Sequence, residues 1–173
     1  MSDSKQQESQ CILHEVAKFS IAWSANSGNG EESMKISARN NFSGTVKEIT
    51  KGAVNAQVTL QLDKGESIIS IITNSSVESL GLSVGGTAFA IVKASDVIVG
   101  KGLDGAKLSA RNVIAGVVAG IVEGAVNCEI EIQIAGGFKI VSIITKESVA
   151  ALSIKIGDAV FAIVKASNVL IGV

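Results

Sequence analysis

Several residue types that define particular classes of protein are missing or rare in this chain. Its 173 residues include no proline, no tyrosine, one tryptophan and one histidine, His14. Aromatic residues make up only 3% of the chain, which is too few for a surface on which single-stranded bases stack. One histidine cannot by itself anchor a catalytic triad or a histidine metal site. These absences disfavour nucleic-acid binding and histidine-based chemistry.

The chain also lacks an excess of charge of either sign. Fifteen Lys and Arg residues face 16 Asp and Glu residues, which gives a net charge of -1 and a pI of about 5.9. Such a chain has no long-range field to attract nucleic acid or an anionic membrane. Its two cysteines, Cys11 and Cys128, lie far apart without CxxC spacing, which indicates reduced thiols rather than a disulfide.

Long apolar runs are absent although the mean hydropathy, +0.44, is high for a protein in water. The longest run covers residues 113–122 and ends at Glu123 after ten residues. A membrane-spanning helix needs about 20 such residues, so this run predicts a buried strand. The first residues show no secretory pattern. We therefore expect a cytoplasmic protein with no membrane insertion.

The sequence contains a tandem repeat with a spacing of 72 residues. Residues 35–100 and 107–172 align without insertion and are identical at 32 of 66 positions. Period-2 alternation and turn residues predict five strands and one short helix in each repeat. In the first repeat the strands are expected at 35–49, 54–62, 67–73, 87–92 and 97–99, and the helix at 75–80. The pattern predicts an all-β fold, a pair of small five-stranded barrels of the oligonucleotide/oligosaccharide-binding type.

Residues 1–33 lie outside the repeat. Apolar residues spaced by 4, 3 and 4 predict an amphipathic helix over about 9–24, followed by a flexible linker to residue 33. This helix could dock on a barrel, remain a tail or bind a partner. The predicted domains are an extension at 1–33 and two barrels at 34–101 and 106–173. Such small, apolar barrels leave surface to cover, so we expect a homo-oligomer.

The polar residues that recur in both repeats indicate what the chain binds. No carboxylate, histidine or cysteine recurs, which argues against acid–base catalysis, cation sites and a serine nucleophile in each repeat. We therefore predict a protein that is not an enzyme. The recurring groups are guanidinium, ammonium, hydroxyl and carboxamide donors, which suit an oxyanion because its oxygens only accept hydrogen bonds. The alternative is structural, with Arg39 and Lys93 as surface residues and Ser37 or Ser95 capping turns.

Three motifs resemble the Mop domain of molbindins, a family of small molybdate-binding proteins. They are Ser37-Ala-Arg-Asn40 with Phe42-x-Gly44-x-Val46, then Thr73-x-x-Ser76-Val-x-x-Leu80-Gly-Leu-x-x-Gly85, and Ile91-Val-Lys93-Ala-Ser95 with Gly100. The resemblance covers residues 34–173 in two copies. It implies OB-like (TOBE-like) barrels that bind molybdate or tungstate at domain interfaces, as a store or buffer in molybdenum homeostasis, with no organic cofactor and three chains in the assembly. The alternative is an anion-sensing regulatory module that docks a partner through its N-terminal helix.

The resemblance also implies the residues of each site. One side of a site would come from the first and last motifs of a repeat together, and the facing side from the helix start of another domain. In the first repeat these residues are Ser37, Ala38, Arg39, Asn40, Lys93, Ala94 and Ser95, with Thr73 and Ser76 facing. In the second repeat they are Ser109, Ala110, Arg111, Asn112, Lys165, Ala166 and Ser167, with Thr145 and Ser148 facing. Asp158, which replaces Gly86 in the second repeat, is expected to repel an anion near that helix.

Overall fold

A computed structural model describes residues 36–62, 65–103 and 106–173. The helix predicted over 9–24 lies outside the described residues. The first repeat contains β1 (Asn40–Lys51), β2 (Asn55–Leu62), β3 (Ser67–Thr73), α1 (Asn74–Ser79), β4 (Thr87–Val92) and β5 (Ile98–Gly100). The second contains β6 (Asn112–Glu123), β7 (Asn127–Ile134), β8 (Lys139–Thr145), α2 (Lys146–Ala151), β9 (Ala159–Val164) and β10 (Val169–Gly172). The predicted all-β pair of curled five-stranded sheets with one short helix each is confirmed.

The core follows from the alternation of apolar and polar residues along the strands. In β2, Ala56, Val58, Leu60 and Leu62 point inward and are buried, and the residues between them are partly exposed. The second repeat has the same arrangement along β7, from Cys128 to Ile134. Because side chains alternate between the faces of a strand, this pattern fixes the register of each sheet around its apolar interior.

The sheets do not follow the repeat boundaries. Their strand orders are β10-β4-β1-β2-β3 and β5-β9-β6-β7-β8, so each repeat gives its last strand to the barrel of the other. Val169 pairs with Val92, and Ile98 pairs with Ile163. The expectation that each barrel uses its own five strands is wrong. Residues Ile36–Val173 consequently form one compact unit.

The direction of the chain after β4 accounts for this exchange. A single 3₁₀ turn, Ala94–Asp96, follows β4 and packs against β8 of the other repeat, so that β5 continues along the opposite barrel. The equivalent turn, Ala166–Asn168, packs against β3 and leads into β10. The terminal strands of the two repeats are similar in sequence, so each fits the barrel of the other repeat.

The first strand is shorter than its sequence predicts, and it is irregular near the expected bend. It was expected from residue 35, but β1 begins at Asn40 because its partner β4 ends at Val92, leaving residues 36–39 without a ladder. The expected bend near Gly44 coincides with a close approach of β1 to β2. A Cβ at Gly44 would lie 2.5 Å from the carbonyl oxygen of Gln61, and the register shifts between Val46 and Glu48. Only glycine allows this contact.

Buried polar side chains join the two repeats reciprocally. Asn40 donates from Nδ2 to the carbonyl oxygen of Val141 at 2.8 Å and accepts from the Val141 N–H at 2.7 Å. Asn112 makes the same pair of bonds with Ile69, at 2.8 and 2.7 Å. The hydroxyls of Ser70 and Ser142 donate to the carbonyl oxygens of Val169 and Val97, each at 2.6 Å. These bonds fix the position of one barrel on the other.

Candidate oxyanion site

The site predicted in the first repeat lies where β1 begins and β4 ends. Asn40 pairs with Val92 at the end of this ladder, so residues 37–39 enter β1 beside residues 93–95 as these leave β4. The exposed side chains here are those of Ser37, Arg39, Lys93 and Ser95, whereas Ala38 is half-buried and Ala94 is buried. Strand pairing therefore brings two motifs that are 56 residues apart to one end of the barrel.

The second repeat has the same arrangement. Asn112 pairs with Val164, which places residues 109–111 beside residues 165–167. The exposed side chains are those of Ser109, Arg111, Lys165 and Ser167, whereas Ala110 is half-buried and Ala166 is buried. Each chain therefore has two equivalent groups of cationic and hydroxyl donors.

The two arginines of these groups have different neighbours. Arg39 forms an ion pair with Glu129 of β7, in the other repeat, and the two side chains are 53% and 35% exposed. In the described part of the chain, Arg111 forms no ion pair. Part of the positive charge of the first group is therefore neutralised within the chain.

The asparagines at these sites have a structural role that the sequence did not indicate. Asn40 and Asn112 were predicted as ligands, but their side chains are only 1% and 3% exposed. Their carboxamides are already engaged with the main chain of Val141 and Ile69, as described above. An oxyanion could hydrogen-bond to these side chains only if the bonds to the main chain broke. The candidate site therefore includes only the main chain of Asn40 and Asn112.

The residues predicted to face an anion cap the short helices. Thr73 Oγ1 accepts a hydrogen bond from the Ser76 N–H at 3.1 Å, and the two hydroxyls lie 2.8 Å apart. Thr145 and Ser148 repeat this arrangement at 3.1 and 2.9 Å. Among the described residues, no hydrogen bond joins either pair to the arginine and lysine groups.

The Asp158 carboxylate forms an ion pair with a lysine side chain. Its carboxylate accepts from Lys101 Nζ at 2.8 Å, and Lys101 also donates to the Ser153 carbonyl oxygen at 2.9 Å. The Lys101 ammonium, and then the Lys155 N–H, lower the pKa of the Asp158 carboxyl below its ordinary value. Because Lys101 offsets its charge, the repulsion expected of Asp158 is reduced. The pair also holds the segment after β5 against the second barrel.

This ion pair predicts an acid-sensitive contribution to stability. A carboxyl with a lowered folded pKa stabilises the protein above its unfolded pKa, and that contribution is lost as the pH falls through the folded value. We expect Asp158→Asn to lower the thermal midpoint at pH 7, and the difference from wild type to shrink as the pH falls below about 4. Calorimetry at several pH values measures this.

A matched control is Glu78→Gln, since Glu78 lies 3.5 Å from Lys51 in an exposed pair. Such exposed pairs contribute little to stability, so the thermal midpoint of Glu78→Gln should match that of wild type at every pH. A gap between Asp158→Asn and wild type that stays constant across this pH range would contradict the argument.

Sequence reasoning missed Glu129 as a neighbour of the first group. Glu129 is one of the carboxylates that do not recur, since Gln57 stands in the equivalent place. The contact of Glu129 crosses between repeats, and it depends on how the barrels pack. The difference between the repeats at this position was visible in the sequence, but it did not show that the carboxylate lies beside Arg39.

The fold and the candidate site define a class: paired, strand-exchanged β-barrels with cationic and hydroxyl side chains exposed at their ends. The family model of the TOBE domain matches residues 36–99 and again 108–171. The chain therefore belongs to the TOBE domain family, as the resemblance to the Mop domain predicted. No helix in the described ranges is long and apolar enough to cross a membrane.

Proteins similar to this chain have names that mention molybdenum or molybdate. Molybdenum-pterin-binding protein MopA of Rhodobacter capsulatus is 38% identical over 138 residues, which is 80% of this chain and 52% of that protein. Molybdenum-pterin-binding protein 2 of Clostridium pasteurianum is 46% identical over 66 residues, or 38% of this chain and 97% of that protein. The chain spans about half the length of the first curated relatives it matches.

A solved structure shares the fold of both repeats. It is the cytoplasmic molybdate-binding protein ModG with molybdate bound, which is 46% identical and has a TM-score of 0.78. The match covers 81% of this chain and 99% of the ModG chain. The relationship therefore extends through the whole of a two-repeat protein.

Proposed function

We propose that this chain binds molybdate, and tungstate as an alternative ligand, through the donor groups at the ends of its two barrels. One observation supports the proposal: Asn40 pairs with Val92 and Asn112 with Val164 at the ends of their ladders, so the first and last motifs meet at the same end of the barrel in both repeats. The similarity to ModG, whose structure contains molybdate, supports the choice of anion.

The chemistry of the donors suits a tetrahedral dianion. Its oxygens accept hydrogen bonds from the serine hydroxyls and from main-chain N–H groups, while Arg39, Arg111, Lys93 and Lys165 supply positive charge. Sulfate is smaller, so donors placed for molybdate converge too far out for it. Phosphate near pH 7 carries a proton that a site made only of donors cannot accept. No step of this binding requires catalysis or an organic cofactor.

A homo-oligomer would complete these sites, with Thr73, Ser76, Thr145 and Ser148 contributed by another chain. Large apolar side chains exposed in one chain support such an assembly, among them Val54, Val84, Val122, Val126 and Ile156. We propose a trimer that serves as a cytoplasmic store or buffer for the anion. Residues 34–101 and 106–173 would be the binding repeats and residues 1–33 an extension.

Native mass spectrometry of the full chain, with molybdate and with sulfate, tests the proposal. We expect a discrete oligomer that gains a fixed number of molybdates and no sulfate. The double variants Arg39→Ala/Lys93→Ala and Arg111→Ala/Lys165→Ala each remove charge-assisted hydrogen bonds, so we expect each to lose part of this stoichiometry and to weaken that site by at least about tenfold. An unchanged affinity and stoichiometry in both would refute the site assignment.

A further inference from the structure

The two candidate sites of one chain differ in the carboxylates near them. Glu129 forms an ion pair with Arg39. The reciprocal bonds of Asn40 to Val141 and of Asn112 to Ile69 show that the repeats face each other equivalently. Gln57 is the residue of the first repeat that is equivalent to Glu129, so the same packing would place its amide near Arg111. The first arginine is paired with a carboxylate, and its counterpart has a neutral amide at the equivalent position.

A second, independent difference lies in the 3₁₀ turns that directly follow Lys93 and Lys165. The turn at Ala94–Asp96 ends in a carboxylate, whereas the equivalent turn at Ala166–Asn168 ends in an amide. In the first repeat, Glu129 pairs with Arg39, and Asp96 follows Lys93 by three residues in the chain, so two carboxylates accompany the two cations. In the second repeat the neutral residues Gln57 and Asn168 stand at the equivalent positions, while the cations Arg111 and Lys165 are kept.

We propose that the two sites bind a dianionic oxyanion with unequal affinity, and that Glu129 is the residue that sets the difference. This rests on the proposed function. An oxyanion that takes the guanidinium of Arg39 must compete with the carboxylate of Glu129 or tolerate its repulsion. Within the part of the chain that the structure describes, the guanidinium of Arg111 has no carboxylate partner at the second site. The Arg111 site therefore fills first, and the Arg39 site fills only at higher anion concentration.

The difference between the repeats provides two reciprocal substitutions that test this proposal. Glu129→Gln places at the first site the residue that the second site already has, and Gln57→Glu does the reverse. Both positions lie on the partly exposed face of their strands, so each barrel should accept the other's residue. Removing or adding one charge beside a bound dianion should change its affinity by about tenfold.

Isothermal titration of the full chain with sodium molybdate measures the effect. Wild type should show two classes of site, and the Arg111→Ala/Lys165→Ala variant should lose the tighter one. Glu129→Gln should tighten the weaker class about tenfold, and Gln57→Glu should weaken the tighter class about tenfold. The double variant Glu129→Gln/Gln57→Glu should reverse which site fills first.

The outcomes separate the two proposals. If wild type binds molybdate with a single affinity, or if Glu129→Gln leaves both classes unchanged, the inequality is refuted and the proposed function stands. If wild type binds no molybdate, the proposed function fails and the inference fails with it. A change in fold is detected independently by circular dichroism of each variant.

Discussion

Ending the chain after Asn168 should unfold the barrel of the first repeat, although the deleted residues belong to the second. The deletion removes β10, which pairs with β4 and whose Val169 is 1% exposed. It also leaves the buried Ser70 hydroxyl without its acceptor, the Val169 carbonyl oxygen. Lost burial and an unpaired polar group together should cost about 5 kcal/mol of unfolding free energy. That is a large part of the stability of a typical domain.

Hydrogen exchange read residue by residue measures where protection is lost. We expect faster exchange in β4 and β1 of the first repeat, and smaller changes in β9, which pairs with β5. Removing Val173 alone is the matched control, because it lies beyond β10 and is 55% exposed. Loss of protection confined to β9 would contradict the strand exchange.

Asn112→Ala should lower the unfolding free energy almost as much, although it removes no residue of the hydrophobic core. The substitution removes both hydrogen bonds to the main chain of Ile69 and leaves that N–H and carbonyl oxygen unpaired between the barrels. Leaving two such groups unsatisfied costs about 4 kcal/mol of unfolding free energy. Asn40→Ala should have a similar effect through Val141. Chemical denaturation measures both.

The neighbouring asparagine provides the control for these variants. Asn41 precedes Phe42 on β1, but its side chain is exposed and lies on the outer face of the strand. Asn41→Ala should therefore change the unfolding free energy by about 0.5 kcal/mol or less. If Asn112→Ala were as mild as Asn41→Ala, the carboxamides would not hold the barrels together.

The elements of the fold could be predicted because their signals are local. Alternation along residues 54–62 and the turn residues around them identified β2, and the repeat transferred this to β7. The strand exchange could not be predicted in this way. Residues 98–100 and 169–172 have nearly the same sequence, so their pattern identifies two strands but not the barrel that each completes. Packing of the turns before them decides it.

The site was predictable to a similar degree. Recurrence of donors selected Arg39, Lys93 and their equivalents, and in both repeats the ladder ends bring the first and last motifs to one end of the barrel. Recurrence alone does not separate binding from structure, and for this reason it also selected Asn40 and Asn112. A residue that holds two equivalent barrels together must recur as faithfully as a ligand does. Burial, which decides between the roles, is a property of the packed pair.

Strand exchange also has a consequence for how such a chain associates. A polypeptide with one repeat has one terminal strand, which could complete a neighbouring barrel only in a second molecule, so its pairing would weaken on dilution. Here residues 101–111 tether the two partners, and the exchange becomes intramolecular at an effective concentration typically in the millimolar range. The pairing of the barrels is thereby independent of how much protein a cell contains. Only an association between whole chains would remain subject to dilution.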